Sequence, residues 1–280
     1  MSAFWKSDLK TYTEILKVQD TVQKTLKSKS ANISPVIEHV LAAEGKYIRA
    51  GMVVLAAQNG KYNSKNTVPV AAAIEMLHLA TLIHDDIIDD SEFRRNAPSV
   101  QSKFGKDVAV YTGDFVLSKI FSLLSENHTE YLYPLSKAME RICMGEIMQN
   151  EKKQNQDLTK KQYLRIIGGK TACLFAVSLY AGAIEGRLEE TNVKVLRNSG
   201  FHVGMAFQVV DDCIDYMQDS SVGKNPEHFN PIEILGGIEV FQKLADAYTA
   251  KALKDLAKNT QNKNAEKLRD VYLELVKRNV

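Results

Sequence analysis

The segment from Val68 to Asp90 reads VPVAAAIEMLHLATLIHDDIIDD, and its periodicity decides the fold. Ile74, Leu77, His78, Thr81, Leu82, Asp85 and Asp89 recur at spacings of three and four, the repeat of one helix face. Strict alternation of apolar and polar residues is scarce here and elsewhere. The helix ends on His84-Asp85-Asp86-Ile87-Ile88-Asp89-Asp90, four carboxylates after an apolar run, with Asp85 and Asp89 on a shared face. Like charges repel, and at a helix C-terminus they also oppose the macrodipole. A cation would offset that cost. Mg2+ is the natural one, because it takes carboxylate oxygens and completes its shell with water or phosphate oxygens. Alone, the motif reads equally well as a solvated acidic helix end.

A second copy shifts that balance. Phe207-Gln208-Val209-Val210-Asp211-Asp212-Cys213-Ile214-Asp215 repeats the DDxxD spacing after another apolar helix, with Gln208, Asp211 and Asp215 on one stripe. Helical bundles build metal sites from carboxylates on facing helices, so two such ends predict several divalent ions with a diphosphate completing their coordination. Donors for a diphosphate lie nearby in sequence. Arg94 and Arg95 follow the first motif, Lys46 and Arg49 sit in Gly45-Lys46-Tyr47-Ile48-Arg49, and Lys170 and Thr171 follow Gly168-Gly169. Guanidinium forks bind phosphate bidentately, lysine adds a point charge, and glycines let backbone approach an anion. Gly-Lys-Thr here lacks the upstream glycine of a P-loop and any preceding strand, which argues against a nucleotide.

Outside the motifs the pattern stays helical. Helices are predicted at Asp8–Lys27, Ile33–Asn59, Val68–Asp90, Gly113–Glu126, Thr129–Asn150, Thr159–Gly186, Leu188–Gln218, Ile232–Lys258 and Asn262–Lys277. The expected fold is all-α, a single-domain bundle (residues 1–280) of roughly ten or more helices around a deep central cavity. Ser91–Ser99 and Gln218–Pro231 read as functional loops after the acidic ends. With 36 Lys and Arg against 34 Asp and Glu, the net charge of +2 gives no argument for nucleic acid or for an anionic membrane; local clusters must carry any electrostatic claim. Cys143, Cys173 and Cys213 lie in apolar helical stretches without metal spacing and are expected to be buried thiols. Met1 to Lys10 lacks an apolar leader, and Ala172–Ile184 is expected to be too short to span a bilayer. A cytoplasmic protein with no transmembrane segment is expected.

Together these motifs resemble the trans-isoprenyl diphosphate synthase (polyprenyl synthetase) family over nearly the whole chain, in the family's order. The matching residues are Gly45-Lys46 with Arg49, Glu75 and His78 before His84-Asp85-Asp86, Arg94-Arg95 with Pro98, Gly113-Asp114, Gly145-Glu146, Lys170-Thr171, and Phe207-Gln208 before Asp211-Asp212. The resemblance implies a prenyltransferase that condenses isopentenyl diphosphate with an allylic diphosphate. By it, Lys46, Arg49, His78 and Arg95 bind isopentenyl diphosphate, while Arg94, Lys170, Thr171, Gln208 and Lys224 hold the allylic diphosphate. Asp85, Asp89, Asp211 and Asp215 bind Mg2+, and Asp85, Asp89, Lys170 and Asp211 are catalytic. It also implies a homodimer.

Ala50 and Asn96 replace the family's usual proline and glycine, and Asn230–Gly237 lacks its aspartate, second lysine and Thr-Leu-Pro. A weakly active or non-catalytic subunit of a heteromeric synthase is therefore the alternative, ahead of a cyclase, which has no need of an isopentenyl diphosphate site. In this family, bulky aromatics one turn before the first motif mean short products. Ala80 and Thr81 are small, so a long-chain product of six or more isoprene units is expected, with Leu77 as the first block.

Overall fold

The computed structural model describes residues 3–43, 45–95, 97–221, 230–259 and 264–277. It divides into two compact units, Met1–Val54 with Asn63–Tyr133 and Leu55–Tyr62 with Pro134–Val280. Elements run in chain order through α1 (Leu9–Leu26), α2 (Ser34–Ala42), α3 (Ile48–Ala57), α4 (Ser64–Ile88), β1 (Phe93–Arg94), β2 (Ala97–Pro98), α5 (Val100–Phe104) and α6 (Lys106–Ser125). Then follow α7 (Leu132–Asn155), α8 (Lys160–Ile167), a π-helical turn (Gly168–Ala172), α9 (Cys173–Glu185), α10 (Glu190–Ser221), α11 (Pro231–Ile234), α12 (Ile238–Leu256) and α13 (Ala265–Val276). The fold is all-α, as the periodicity predicts.

In the first unit, α1 presents the stripe Ile15, Val18, Val22 and Leu26 to the core and packs on α4, which packs on α6. α4 is apolar nearly all round, as a central helix should be. It begins at Ser64 rather than Val68, because the Asn63 side chain caps it by accepting the Lys65 N–H. Pro69 therefore lies inside the helix and forfeits one backbone bond. The predicted helix Ile33–Asn59 is two helices, broken where Tyr47 takes a φ of +49°. Beyond the break Glu75 accepts the Ala50 N–H at 2.9 Å, a tertiary bond that local periodicity cannot reveal. α6 starts at Lys106, ahead of the predicted Gly113, and Ser91–Ser99 contains a hairpin pairing Phe93 with Pro98 and Arg94 with Ala97.

The second unit is centred on α10, which packs on α9 and α12, with Tyr163, Ile167, Met205, Val209 and Phe241 in its core. Residues 55–62 join this unit through specific bonds. The Lys61 N–H donates to the Gly186 carbonyl at 2.7 Å, and the Asn59 side chain accepts the Asn264 N–H at 2.9 Å. Gly60 lies so near Gly186 that a Cβ would come within 2.0 Å of its carbonyl oxygen.

Two expectations need correction. Cys173 and Cys213 are buried, but Cys143 is exposed on α7 beside exposed Met144 and Ile147, so apolar sequence there marks an outer face and not core. Ser64–Ile88, Lys106–Ser125 and Lys160–Glu185 are each long and apolar enough to cross a membrane, because helix continues through the π turn and lengthens the Ala172–Ile184 run to 26 residues. Of the most apolar windows in α4 and in Lys160–Glu185, 61% and 78% are buried inside the protein.

Candidate active site

The acidic end of α4 is closed by its neighbours. Asp89 caps the helix by donating its N–H to the Asp85 carbonyl at 2.9 Å, and Asp90 turns away with φ +52°. Gln101 of α5 donates to the carbonyls of Asp86 and Ser91 at 2.8 and 3.0 Å, so the helix end is not left with orphaned acceptors. The four carboxylates then differ. Asp86 is buried and receives two hydrogen bonds from the Arg94 guanidinium, one from Nε at 2.9 Å and one from Nη2. Asp90 is exposed and pairs with Lys106 at 2.8 Å. Asp85 is half-buried and Asp89 exposed, on the stripe their spacing predicts.

Beside this end, Gly45, Tyr47, Glu75, His78 and Arg95 line one pocket with Leu79 and Leu82. Arg95 takes a φ of +51°, and its Nη1 lies 3.0 Å from where a Cβ on Gly45 would stand, so glycine leaves room for the guanidinium. Glu75 sits against Arg49, Arg95 and the N-terminus of α3. Burial raises its carboxyl above the ordinary range, against the pull of Arg49 and Arg95. His78 is driven well below the usual imidazole range, first by burial and then by Arg49, Arg95 and Arg94, so at neutral pH it is an uncharged hydrogen-bonding group. Burial, with the Glu75 charge, pushes the Tyr47 phenol up to about 12. The structure thus gathers Arg49, His78 and Arg95. Lys46 is exposed next to them in sequence, its carbonyl held by the Trp5 indole N–H at 2.7 Å. Tyr47, Gln101 and the capping role of Glu75 are not apparent from the sequence.

The second acidic motif lies inside α10, which runs on to Ser221 and so does not end at the motif as expected, but its carboxylates are divided in the same way. Asp212 is the tied carboxylate: Tyr163 donates to it at 2.6 Å and Gln208 at 3.0 Å, while Thr171 donates to the Gln208 carbonyl oxygen at 2.5 Å. Burial pushes the Asp212 carboxyl up to about 6 despite the bonds from Tyr163 and Gln208, with repulsion from Asp211 and Asp215 adding to the rise. Asp211 is half-buried and Asp215 exposed. Lys170 meets both Glu146 oxygens, at 2.8 and 3.0 Å. Lys224 lies outside the described residues.

The glycines here serve packing, whereas the sequence suggested an anion cradle. A Cβ on Gly169 would lie 2.6 Å from the Arg141 carbonyl, and one on Gly145 would lie 2.9 Å from the Lys170 nitrogen. α7 and the π turn therefore meet backbone to backbone, which sets Lys170 against Glu146. Gly169→Ala should destabilise the fold by about 1–3 kcal/mol and lower Tm by roughly 2–12 °C, because the obstructing atom is backbone. An unchanged Tm in calorimetry would show that α7 can yield.

Leu77 and Ala80 are buried, and Thr81 is half-buried with its hydroxyl on the His78 carbonyl at 2.8 Å. The donor chemistry fits a hard divalent ion. Half-buried Asp85 and Asp211 and exposed Asp89 and Asp215 carry carboxylate oxygens of the kind such an ion takes, and the second aspartate of each motif is held by Arg94 or by Tyr163 and Gln208.

An all-helical chain with this pair of DDxxD helices has the fold of the isoprenoid synthases, and solved structures agree. It matches a decaprenyl diphosphate synthase from Rhodobacter capsulatus with TM-score 0.88, 28% identity and coverage of 95% of this chain and 96% of that one. It also matches a geranylgeranyl pyrophosphate synthase from Lactobacillus brevis ATCC 367 with TM-score 0.87, 27% identity and 99% of both chains. Residues 30–275 match the sequence profile of the polyprenyl synthetases, and the chain belongs to that family. Component 2 of the heptaprenyl diphosphate synthase of Bacillus subtilis strain 168 is 35% identical over 229 residues, 79% of this chain. The match spans 66% of that relative's length, just under two thirds.

Proposed function

We propose that the protein is a trans-prenyltransferase that condenses isopentenyl diphosphate with an allylic diphosphate to give a polyprenyl diphosphate. The observation that supports this most is the arrangement repeated in both DDxxD motifs, where Arg94 holds Asp86 and Tyr163 and Gln208 hold Asp212, beside half-buried Asp85 and Asp211 and exposed Asp89 and Asp215. Bound through Asp85, Asp89, Asp211 and Asp215, Mg2+ would neutralise the allylic diphosphate and ease its departure. Lys170, Thr171, Gln208 and Lys224 hold that diphosphate from the protein side. Arg94 uses Nε and Nη2 on Asp86 and has further N–H donors to offer it. Lys46, Arg49, His78 and Arg95 hold isopentenyl diphosphate so that its alkene attacks the allylic cation, and the departing diphosphate takes the final proton. No side chain is needed as a covalent nucleophile, because fixed charges do the stabilising.

The family match runs through both units, so we read residues 1–280 as one synthase domain. Exposed Tyr111 and Phe121 of α6, and Tyr133, Met144 and Ile147 of α7, suit burial against a second copy, hence a homodimer. The component 2 relative favours, as the second reading, a subunit that works with a different partner. Cys143, Cys173 and Cys213 are thiols, which suits the cytoplasm, and we assign no nucleic acid and no membrane-spanning role.

Arg95→Lys tests the substrate assignment. Lysine keeps the charge and loses the bidentate fork, so KM for isopentenyl diphosphate should rise about tenfold while kcat holds within about threefold. A rise confined to the allylic substrate would reverse the assignment.

A further inference from the structure

α8 begins unfavourably. Its first turn carries Lys160 and Lys161 and no acid, at the end where the helix dipole favours anions. The turn does not need them for capping, since Thr159 and Gln162 form a reciprocal capping box. Both lysines are exposed, and with Arg165 and Arg141 they rim a broad groove of about 750 Å³. Leu164, Phe201 and Met205 form its apolar floor. Among the described residues, none of the four cations forms an ion pair. Acids near them in sequence or on the adjoining helix are engaged elsewhere: Glu140 with Lys137, Asp157 with Lys152, and Asp255 with His202 and Lys258. In a chain of net charge +2, this is a local excess of four positive charges around an apolar surface.

A solvated basic patch would need no apolar floor and would gain from a nearby acid. The combination fits a partner that is anionic and apolar at once. We propose that this groove seats the protein on an anionic lipid bilayer, with lipid phosphates against Lys160, Lys161, Arg165 and Arg141 and acyl chains against the floor. The proposal rests on the reading above in one respect: a product of six or more isoprene units is too apolar for water and must pass to a lipid phase. A synthase resting on that phase shortens the transfer.

The test uses the purified full chain without substrate, sedimented with vesicles of phosphatidylcholine alone or of phosphatidylcholine with phosphatidylglycerol. Binding is expected only to the anionic vesicles, weakening with salt. Each basic residue at such a surface contributes about fivefold in partitioning, so Lys160→Glu/Lys161→Glu/Arg165→Glu should lower binding by about a hundredfold. Leu164→Asn should lower it with the charge of the groove unchanged. The triple variant should keep the wild-type Tm; Leu164 also packs against the core, so its variant is compared well below its own Tm, and both should keep the wild-type rate of isopentenyl diphosphate incorporation into a short soluble primer. Absence of wild-type binding, equal binding by the triple variant, or release of the wild type by inorganic diphosphate at matched ionic strength would overturn the proposal. An inactive wild type that still binds vesicles would count against the synthase reading and leave the surface assignment standing.

Discussion

Asp211→Ala is expected to lower kcat at least about a thousandfold, with far-UV circular dichroism unchanged. A metal that stabilises charge on a leaving diphosphate is worth several kcal/mol, and each 1.36 kcal/mol is a factor of about ten in rate. Removing a ligand forfeits much of that. Asp211 lies well inside α10, half-buried among acidic neighbours and outside the apolar core, so the fold loses little with it, and relief of its repulsion on Asp212 works in the protein's favour. Asp85→Ala should behave alike. Asp86→Ala provides the contrast, because it strips Arg94 of its buried partner and should lower Tm as well as activity. Near-normal turnover in Asp85→Ala or Asp211→Ala, measured by labelled isopentenyl diphosphate incorporation, would remove that residue from the proposed metal ligands.

The second large effect concerns product length. Thr81 lies one turn before Asp85 on the same stripe, and Leu77 lies eight residues before it, about 12 Å along the axis. By the family resemblance, small side chains at 80 and 81 would admit a long product on that face. Thr81 is half-buried, so Thr81→Phe can fill space beside the helix without rebuilding the core, and the product should shorten by several isoprene units. Ala80 is 1% exposed. Ala80→Phe must therefore overpack, at about 1–3 kcal/mol, and its product distribution is informative only alongside its Tm. Chromatographic sizing of products decides the matter: unchanged length in both variants, or a wild type that stops at three isoprene units, contradicts the role given to this face.

How far the sequence reaches follows from the range of each interaction. The two DDxxD motifs are legible because helical spacing and charge repulsion are local, and the all-α fold follows from the same spacing, whereas the continuation of α10 to Ser221 is not. Nothing local distinguishes Asp86 from Asp85, or Asp212 from Asp211. Arg94, Tyr163 and Gln208 make that distinction, two of them from other elements. The break before Ile48 depends on Glu75, and the roles of Gly145 and Gly169 depend on where α7 crosses the π turn. The start of α4 illustrates a different limit: periodicity places it at Val68, whereas the Asn63 cap sets it at Ser64. Cys143 shows that an apolar stretch may belong to a surface as readily as to a core.

The central claim is that this chain joins isopentenyl diphosphate to an allylic diphosphate. Its most direct test is incubation of the purified chain alone with labelled isopentenyl diphosphate and a series of allylic primers, with and without Mg2+, followed by sizing of the products. The account predicts Mg2+-dependent incorporation and a product of six or more isoprene units. Absence of incorporation with every primer in the presence of Mg2+ would contradict it.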